Sequence, residues 1–482
     1  MNKRWVRGLA AVSLLAVVGG AHPGASASTE VPEGGGAVLA VPADFPTIQE
    51  AVDAAQPGDL VLISPGTYHE AVNVVTPEIT IRGLDRNEVI LDGQFELDNG
   101  IRVLGAPGVA VENMTAMNYA YNGFFWTGVD GYRGSYLTSY RTGDYGIYAF
   151  DSTHGQLEHS YAAGSPDAGV YIGQCYPCDA VIDDVIAEHN GLGYSGTNSG
   201  GNLLIVNSRF NNNRAGIVPN SGSYELCYPE RETTIVGNLV YSNNQPDTPA
   251  IDVAILAMGN GIVIAGGVGN VVSNNRIWDH DKTGIGLVPF LEEGAADDIP
   301  SPDDDDRPCE DTKNDPINTS PPTEPLIWNS RDNVVTDNVL SDNRTADIGI
   351  GVADAPEAAA DLDNCFAGNE LTVTAPADLE TLAPCDGEGD GDWAAEPLDV
   401  VSWLVEAETR PPSVPYDEAE LPELPELEGM PDAETAPADP ATDMPRAVDL
   451  DAIETPAAPD GTAGSEPATS EGAASEAPAT TG

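Results

Sequence analysis

The chain has 482 residues and a formal net charge of −59, from 78 Asp and Glu against 19 Lys and Arg. The length suits one large domain with appendages, and so acidic a surface argues against nucleic acid as a partner. Clustered carboxylates could hold calcium, but no ligand set can be assigned.

In chain order, the start reads as an export signal over residues 1–27. Lys3, Arg4 and Arg7 form a basic stretch, Leu9 to Val18 a short apolar core, and Ala25-Ser26-Ala27 a cleavage site before Ser28. No second long apolar run follows, so no transmembrane segment is expected after signal removal, and the protein should be secreted or extracytoplasmic. Residues 28–99 read as an N-terminal cap and first coils, in which Ile48, Val52 and Ala55 form the apolar side of a short helix.

Residues 100–385 carry the decisive regularity. A Gly-apolar pair recurs at Gly100, Gly123, Gly146, Gly169, Gly193, Gly216, Gly261, Gly284 and Gly349, at spacings of 23, 23, 23, 24, 23, 45, 23 and 65. The 45 reads as two periods and the 65 as one coil with a long insertion. Short β-rich runs such as Leu203-Leu204-Ile205-Val206 and Thr233-Thr234-Ile235-Val236 lie between polar turns, and no run has a helical period. A solenoid of parallel β coils follows, each burying its apolar face only on its neighbours. Asn118, His189, Asn213, Asn243, His280 and Asn343 fall in one turn register, where stacked amides can bond from coil to coil.

Residues 119–176 hold 14 of the 30 aromatic residues. In the strand after each glycine the second position should face outward, which places Phe125, Tyr148 and Tyr171 as an external stripe suited to sugar faces. The competing reading is that a loop or the C-terminal segment covers them. Asp151 and His154 follow the stripe and are candidates for a general acid and base. Glu112, Glu158 and Asp183 fall in a further register, grouped here with Asn207, Asn274 and Asp337.

Six cysteines in an exported chain favour disulfides. Cys365 suits Cys385, whereas Cys175 and Cys178 can pair with each other or elsewhere. Residues 291–325 form an acidic, Pro-rich loop insertion. Residues 386–410 are a candidate C-terminal cap helix. Residues 411–482, with 17 Asp and Glu against one Arg, lack the apolar content to order themselves and read as a disordered acidic tail.

The frames Asn207-Ser208-Arg209-Phe210-Asn211-Asn212-Asn213-Arg214-Ala215-Gly216-Ile217 and Asn275-Arg276-Ile277-Trp278-Asp279-His280-Asp281-Lys282-Thr283-Gly284-Ile285 resemble those of the pectate-lyase-like superfamily, especially its carbohydrate-binding and sugar-hydrolysis repeats. So does the entry segment Asp44-Phe45-Pro46-Thr47-Ile48-Gln49-Glu50-Ala51-Val52. The resemblance covers roughly residues 38–385 and implies an all-β, single-stranded right-handed parallel β-helix with an N-terminal capping helix. Tyr145-Gly146-Ile147 with Asp151 and His154 faintly resembles a mannuronan epimerase motif, at a different spacing. The implied function is binding, with lyase, epimerase or hydrolase processing, of an extracellular polysaccharide by a monomer. The alternatives are a non-catalytic surface scaffold and an extracytoplasmic metallocentre maturation accessory protein.

Overall fold

The computed structural model describes residues 36–292, 309, 326–353 and 355–459. The expected signal segment 1–27, nearly all of the 291–325 insertion beyond Glu292, and residues 460–482 lie outside the described residues.

The body is a parallel β-helix with three strand rows per coil. One row stacks Gly134, Leu157, Ile182, Ile205, Ile235, Val272, Val335 and Phe366. A second stacks Ala162, Ala187, Phe210, Val240, Ile277 and Leu340. The third stacks Ile101, Phe124, Ile147, Val170, Tyr194, Ile217, Ile262, Ile285 and Ile348. We call these the first, second and third sheets. Their inward side chains form one continuous buried cluster. Each strand is too short to bury an apolar face alone, so burial comes only from the coil above and below.

The glycine repeat has a steric cause. A Cβ on Gly216 would lie 2.5 Å from the carbonyl oxygen of Gly261 and 2.7 Å from Val240 Cγ1. On Gly261 it would lie 2.5 Å from the oxygen of Gly284. The backbone of the next coil occupies the space a side chain needs. Gly216→Ala should therefore cost about 1–3 kcal/mol in urea denaturation, the usual range for overpacking a tight site.

Two spacings are corrected. Ile217 pairs directly with Ile262, so the 45-residue interval is one coil, lengthened by a loop at 221–230 and by the helix Asp252–Ala257. Gly349 pairs with Gly286, and Asp347 takes the place next to Gly284.

The turn register also divides in two. Asn118, His189 and Asn212 have left-handed backbones, with φ of 57°, 59° and 53°. The residue after each turn points inward, and this second register forms the ladder Asn190–Asn213–Asn243–His280–Asn343. Asn118 and His189 therefore belong to the turn and not to the ladder. A parallel ladder runs Asn238–Asn275–Asn338–Asn369 and ends on Glu380. Glu112, Ser135, Glu158 and Asp183 share an outward register, but Asn207, Asn274 and Asp337 lie one position later, in left-handed turns.

At the N-terminal end the helix Ile48–Ala54 buries Ile48, Ala51 and Val52. Thr47 caps it through the Glu50 amide. At the other end the last coil is closed by the short helix Leu379–Leu382, whose buried leucines join Phe366 in the core. The expected cap helix in 386–410 forms at Val400–Thr409, but against the flank of the third sheet. Trp403 packs there with Val218, Ala254, Val263 and Val288, while Val401 and Val405 stay exposed. Cystines join Cys175 to Cys178, Cys365 to Cys385, and Cys227 to Cys309.

Of the tail, only residues 411–459 are described. Residues 411–459 have no core of their own, yet they lie against the body and hydrogen-bond to it. Tyr140 donates to the Pro422 carbonyl, Asn87 to Leu427, Arg82 to Ala436 and Pro437, and Arg276 to Pro456. Composition alone correctly denies this segment an independent fold. Its order comes from donors on the body.

Candidate functional site

The predicted aromatic stripe is built by the parallel register of the third sheet. Phe125, Tyr148 and Tyr171 occupy successive coils at one position, with Ser195 next. Phe125 and Tyr148 stack with ring centroids 4.6 Å apart. Tyr148 and Tyr171 meet edge-on at 5.0 Å. Tyr145, from the turn before the strand, stacks on Tyr148 at 4.3 Å. Phe125, Tyr145 and Tyr148 are half-buried, whereas Tyr171 is covered. Its cover includes the 221–230 loop, so the expectation of an external ring is corrected at this position. The Tyr171 hydroxyl lies 2.7 Å from both carboxylate oxygens of Glu225.

Around these rings lie three carboxyl groups that sequence reading missed. Burial pushes Asp144 up to about 6. Burial, reinforced by Asp144, pushes Asp167 up to about 7, against a hydrogen bond from Tyr145. Burial pushes Glu225 up to about 8, offset by the Tyr171 hydroxyl and reinforced by Asp167. Among the described residues no arginine or lysine is among the groups acting on these three carboxyls. The floor continues in polar groups. Thr197 donates to Asn220 at 2.9 Å and Tyr224 to the same amide oxygen at 2.8 Å. Near neutral pH this cluster holds an ionised carboxylate and a protonated carboxyl. Such a split supplies a base and an acid together. The signal for Asp144 and Asp167 is faint: each lies a few residues before a Gly-apolar pair. Glu225 lies in a loop that departs from the repeat, so no periodic argument reaches it.

Asp151 and His154 lie elsewhere, Asp151 on the turn leading from the third sheet to the first and His154 near the start of the first-sheet strand Thr153–Glu158. Both have left-handed backbones, with φ of 51° and 54°. His154 Nδ1 lies 2.6 Å from Asp130 Oδ1 and its Nε2 lies 3.7 Å from Asp179 Oδ2. These carboxylates come from the coils on either side. His154 lines a surface recess with Glu78, Asp130, Thr442 and Met444 rather than with the aromatic rings. His280 is fully enclosed in the ladder, accepting no role at a surface, and burial lowers it to about 4. Among the described residues no group of three or more His, Cys, Asp or Glu is gathered so as to hold a metal ion, and calcium remains unassigned. Among the same residues no helix is long and apolar enough to cross a membrane.

Residues 122–289 match a family described as a right-handed β-helix region. No curated protein matches the chain. Among solved structures, the A-module of the mannuronan C-5 epimerase AlgE6 of Azotobacter vinelandii aligns with a TM-score of 0.41 at 15% identity, over 69% of this chain and 95% of that one. The A-module of AlgE4 from the same organism aligns at 0.40 and 13% identity, over 67% and 90%. A polygalacturonase from Erwinia carotovora ssp. carotovora aligns at 0.40 and 12% identity, over 68% and 98%.

Proposed function

We propose that this right-handed, pectate-lyase-like β-helix protein is exported, binds an extracellular polysaccharide on its third-sheet face, and cleaves it by acid–base chemistry. The observation that carries the reading is the cluster in which Tyr145, Tyr148 and Tyr171 lie beside Asp144, Asp167 and Glu225. Stacked rings offer faces to a sugar, and their hydroxyls add directional contacts. Glu225, held up to about 8, keeps its proton at neutral pH and can give it to a glycosidic oxygen. Asp144, at about 6, is largely ionised and can accept a proton from water.

The test is a glycan array followed by product analysis on the polymers that bind. Phe125→Ala with Tyr148→Ala is expected to weaken binding at least tenfold while the circular dichroism spectrum is unchanged. Binding without products in the wild type would leave a non-catalytic scaffold as the function. Unaltered binding in the double variant would remove the aromatic face from the site.

A further inference from the structure

The first-sheet face carries a row of charge unusual for so acidic a chain. Arg82 and Glu112 sit side by side on adjacent coils, both fully buried, with Arg82 Nε 2.5 Å from Glu112 Oε2. Arg133 binds the other oxygen of Glu112 and lies 3.4 Å from Glu158. Arg86 completes the group from the neighbouring turn, donating to Thr138 and to the Leu137 carbonyl.

What buries this row is the chain's own C-terminal segment. Arg82 donates to the Ala436 carbonyl at 2.7 Å and to Pro437 at 2.9 Å. Arg86 donates to Glu428 at 3.1 Å, and Arg133 lies 3.1 Å from Asp439 Oδ2. Thr80, Asn113 and Gln156 accept from the backbone amides of Asp439, Met430 and Arg446. Further along, the outward positions of the same sheet turn apolar at Val181, Leu204, Val206 and Val236. There the segment presents Val448, Leu450 and Ile453. Backbone carbonyls of the segment thus meet the arginines, and its apolar side chains meet the apolar positions of the face.

The fit is incomplete over the charged half. Arg133 Nε is buried with no hydrogen-bond partner, and so is Arg141 Nε, although Arg141 donates to the Ala419 carbonyl. A buried unpaired donor forfeits its hydration without return. An extended chain richer in oxygen acceptors would satisfy guanidinium forks that peptide carbonyls leave partly empty.

We propose that residues 411–459 are a built-in occupant, a strap that closes the arginine-lined first-sheet face to an extended acidic polysaccharide and yields to it when loosened. The choice of a glycan as ligand rests on the function proposed above, but the face is a different one. The apolar stretch Val448–Ile453 is the anchor, and the segment over Arg82, Arg86 and Arg133 is the part that lifts.

The experiment compares the full chain with a variant whose residues 427–439 are replaced by Gly and Ser at equal length, leaving the anchor and the helix Val400–Thr409 in place. Polygalacturonate is the acidic probe and dextran the neutral control. The loosened variant is expected to bind polygalacturonate at least tenfold more tightly than the full chain, with binding weakened by salt, and dextran is expected to show no such gain. Hydrogen exchange on the unaltered chain is the second measurement: saturating polygalacturonate should speed exchange in peptides from 427–439 and not in those from 448–453. If the variant fails to fold, the exchange result decides. Equal affinity of a folded variant and the full chain, or exchange unmoved by the polyanion, overturns the strap as a displaceable occupant and makes it a permanent cover. Failure of the aromatic double variant to alter glycan binding on the array bears on the third-sheet site alone, so the two readings fail separately.

Discussion

Asn275→Ala is expected to cost about 2–4 kcal/mol of stability, above a typical single substitution. Asn275 sits mid-ladder and buried. Its Oδ1 accepts from the Asn238 backbone amide at 2.9 Å and from the Asn238 side chain at 3.0 Å. Its Nδ2 donates to the Ile235 and Ser273 carbonyls and to Asn338 Oδ1. Alanine removes both sets at once and strips the Asn238 backbone amide of its partner, while Asn338 Oδ1 keeps the residue-275 backbone amide and the Asn238 side chain keeps the Ile205 and Val236 carbonyls. Each such buried group costs about 1–3 kcal/mol, and water has no opening through which to replace the amide. Urea denaturation read by circular dichroism measures the loss. A cost under about 1 kcal/mol would mean that the ladder decorates the turn without holding the coils in register.

The same residues show how much of the fold was legible. The Gly-apolar repeat was readable because one steric cause acts locally in every coil: the next backbone passes where a Cβ would stand. Register within a coil follows from strand alternation, so the outward row Phe125, Tyr148 and Tyr171 was also readable. Legibility stopped where a contact depends on residues the repeat does not place. The 45-residue interval mimics two periods only because two unrelated excursions happen to add up to nearly one. The turn and ladder positions are adjacent and both favour Asn, one for its left-handed backbone and one for its amide, so a pattern of Asn cannot separate them. Glu225 reaches Tyr171 from across 54 positions, on a loop outside the repeat. The strap reaches Thr80 from 359 positions away. Its composition correctly says that it cannot fold alone, but composition says nothing about order borrowed from the body's arginines and asparagines.

Raising the pH from 5 to 8 is expected to destabilise the protein, and Glu225→Gln should remove part of that loss. The three recess carboxyls have folded values raised to about 6, 7 and 8, against roughly 4 in an unfolded chain. Below pH 4 both states hold the protons and the groups contribute nothing. Above it the unfolded chain releases them first, so stability falls until pH passes each folded value. His280 acts in the opposite sense. Its folded value near 4 favours folding increasingly as pH rises to about 6.5, where its unfolded form is neutral, and it offsets one of the three protons over that window only. The net slope should therefore be steepest between about pH 5 and 6, where all three carboxyls hold their protons in the fold against one proton offset by His280, and should flatten towards pH 8 as Asp144, Asp167 and Glu225 release theirs in turn. Across the whole range the loss should be about 3–5 kcal/mol, since water entering the recess reduces the sum of the separate shifts. Glutamine copies the protonated carboxyl and can still accept from the Tyr171 hydroxyl. E225Q should match the wild type at pH 5 and exceed it by about 2–4 kcal/mol at pH 8.5, where the wild-type carboxylate must be either hydrated or buried charged. The same variant should form no product on any polymer that the wild type cleaves, because glutamine has no proton to give. Parallel pH curves for the two proteins would place Glu225 in contact with solvent at all times and would end its role as the proton donor.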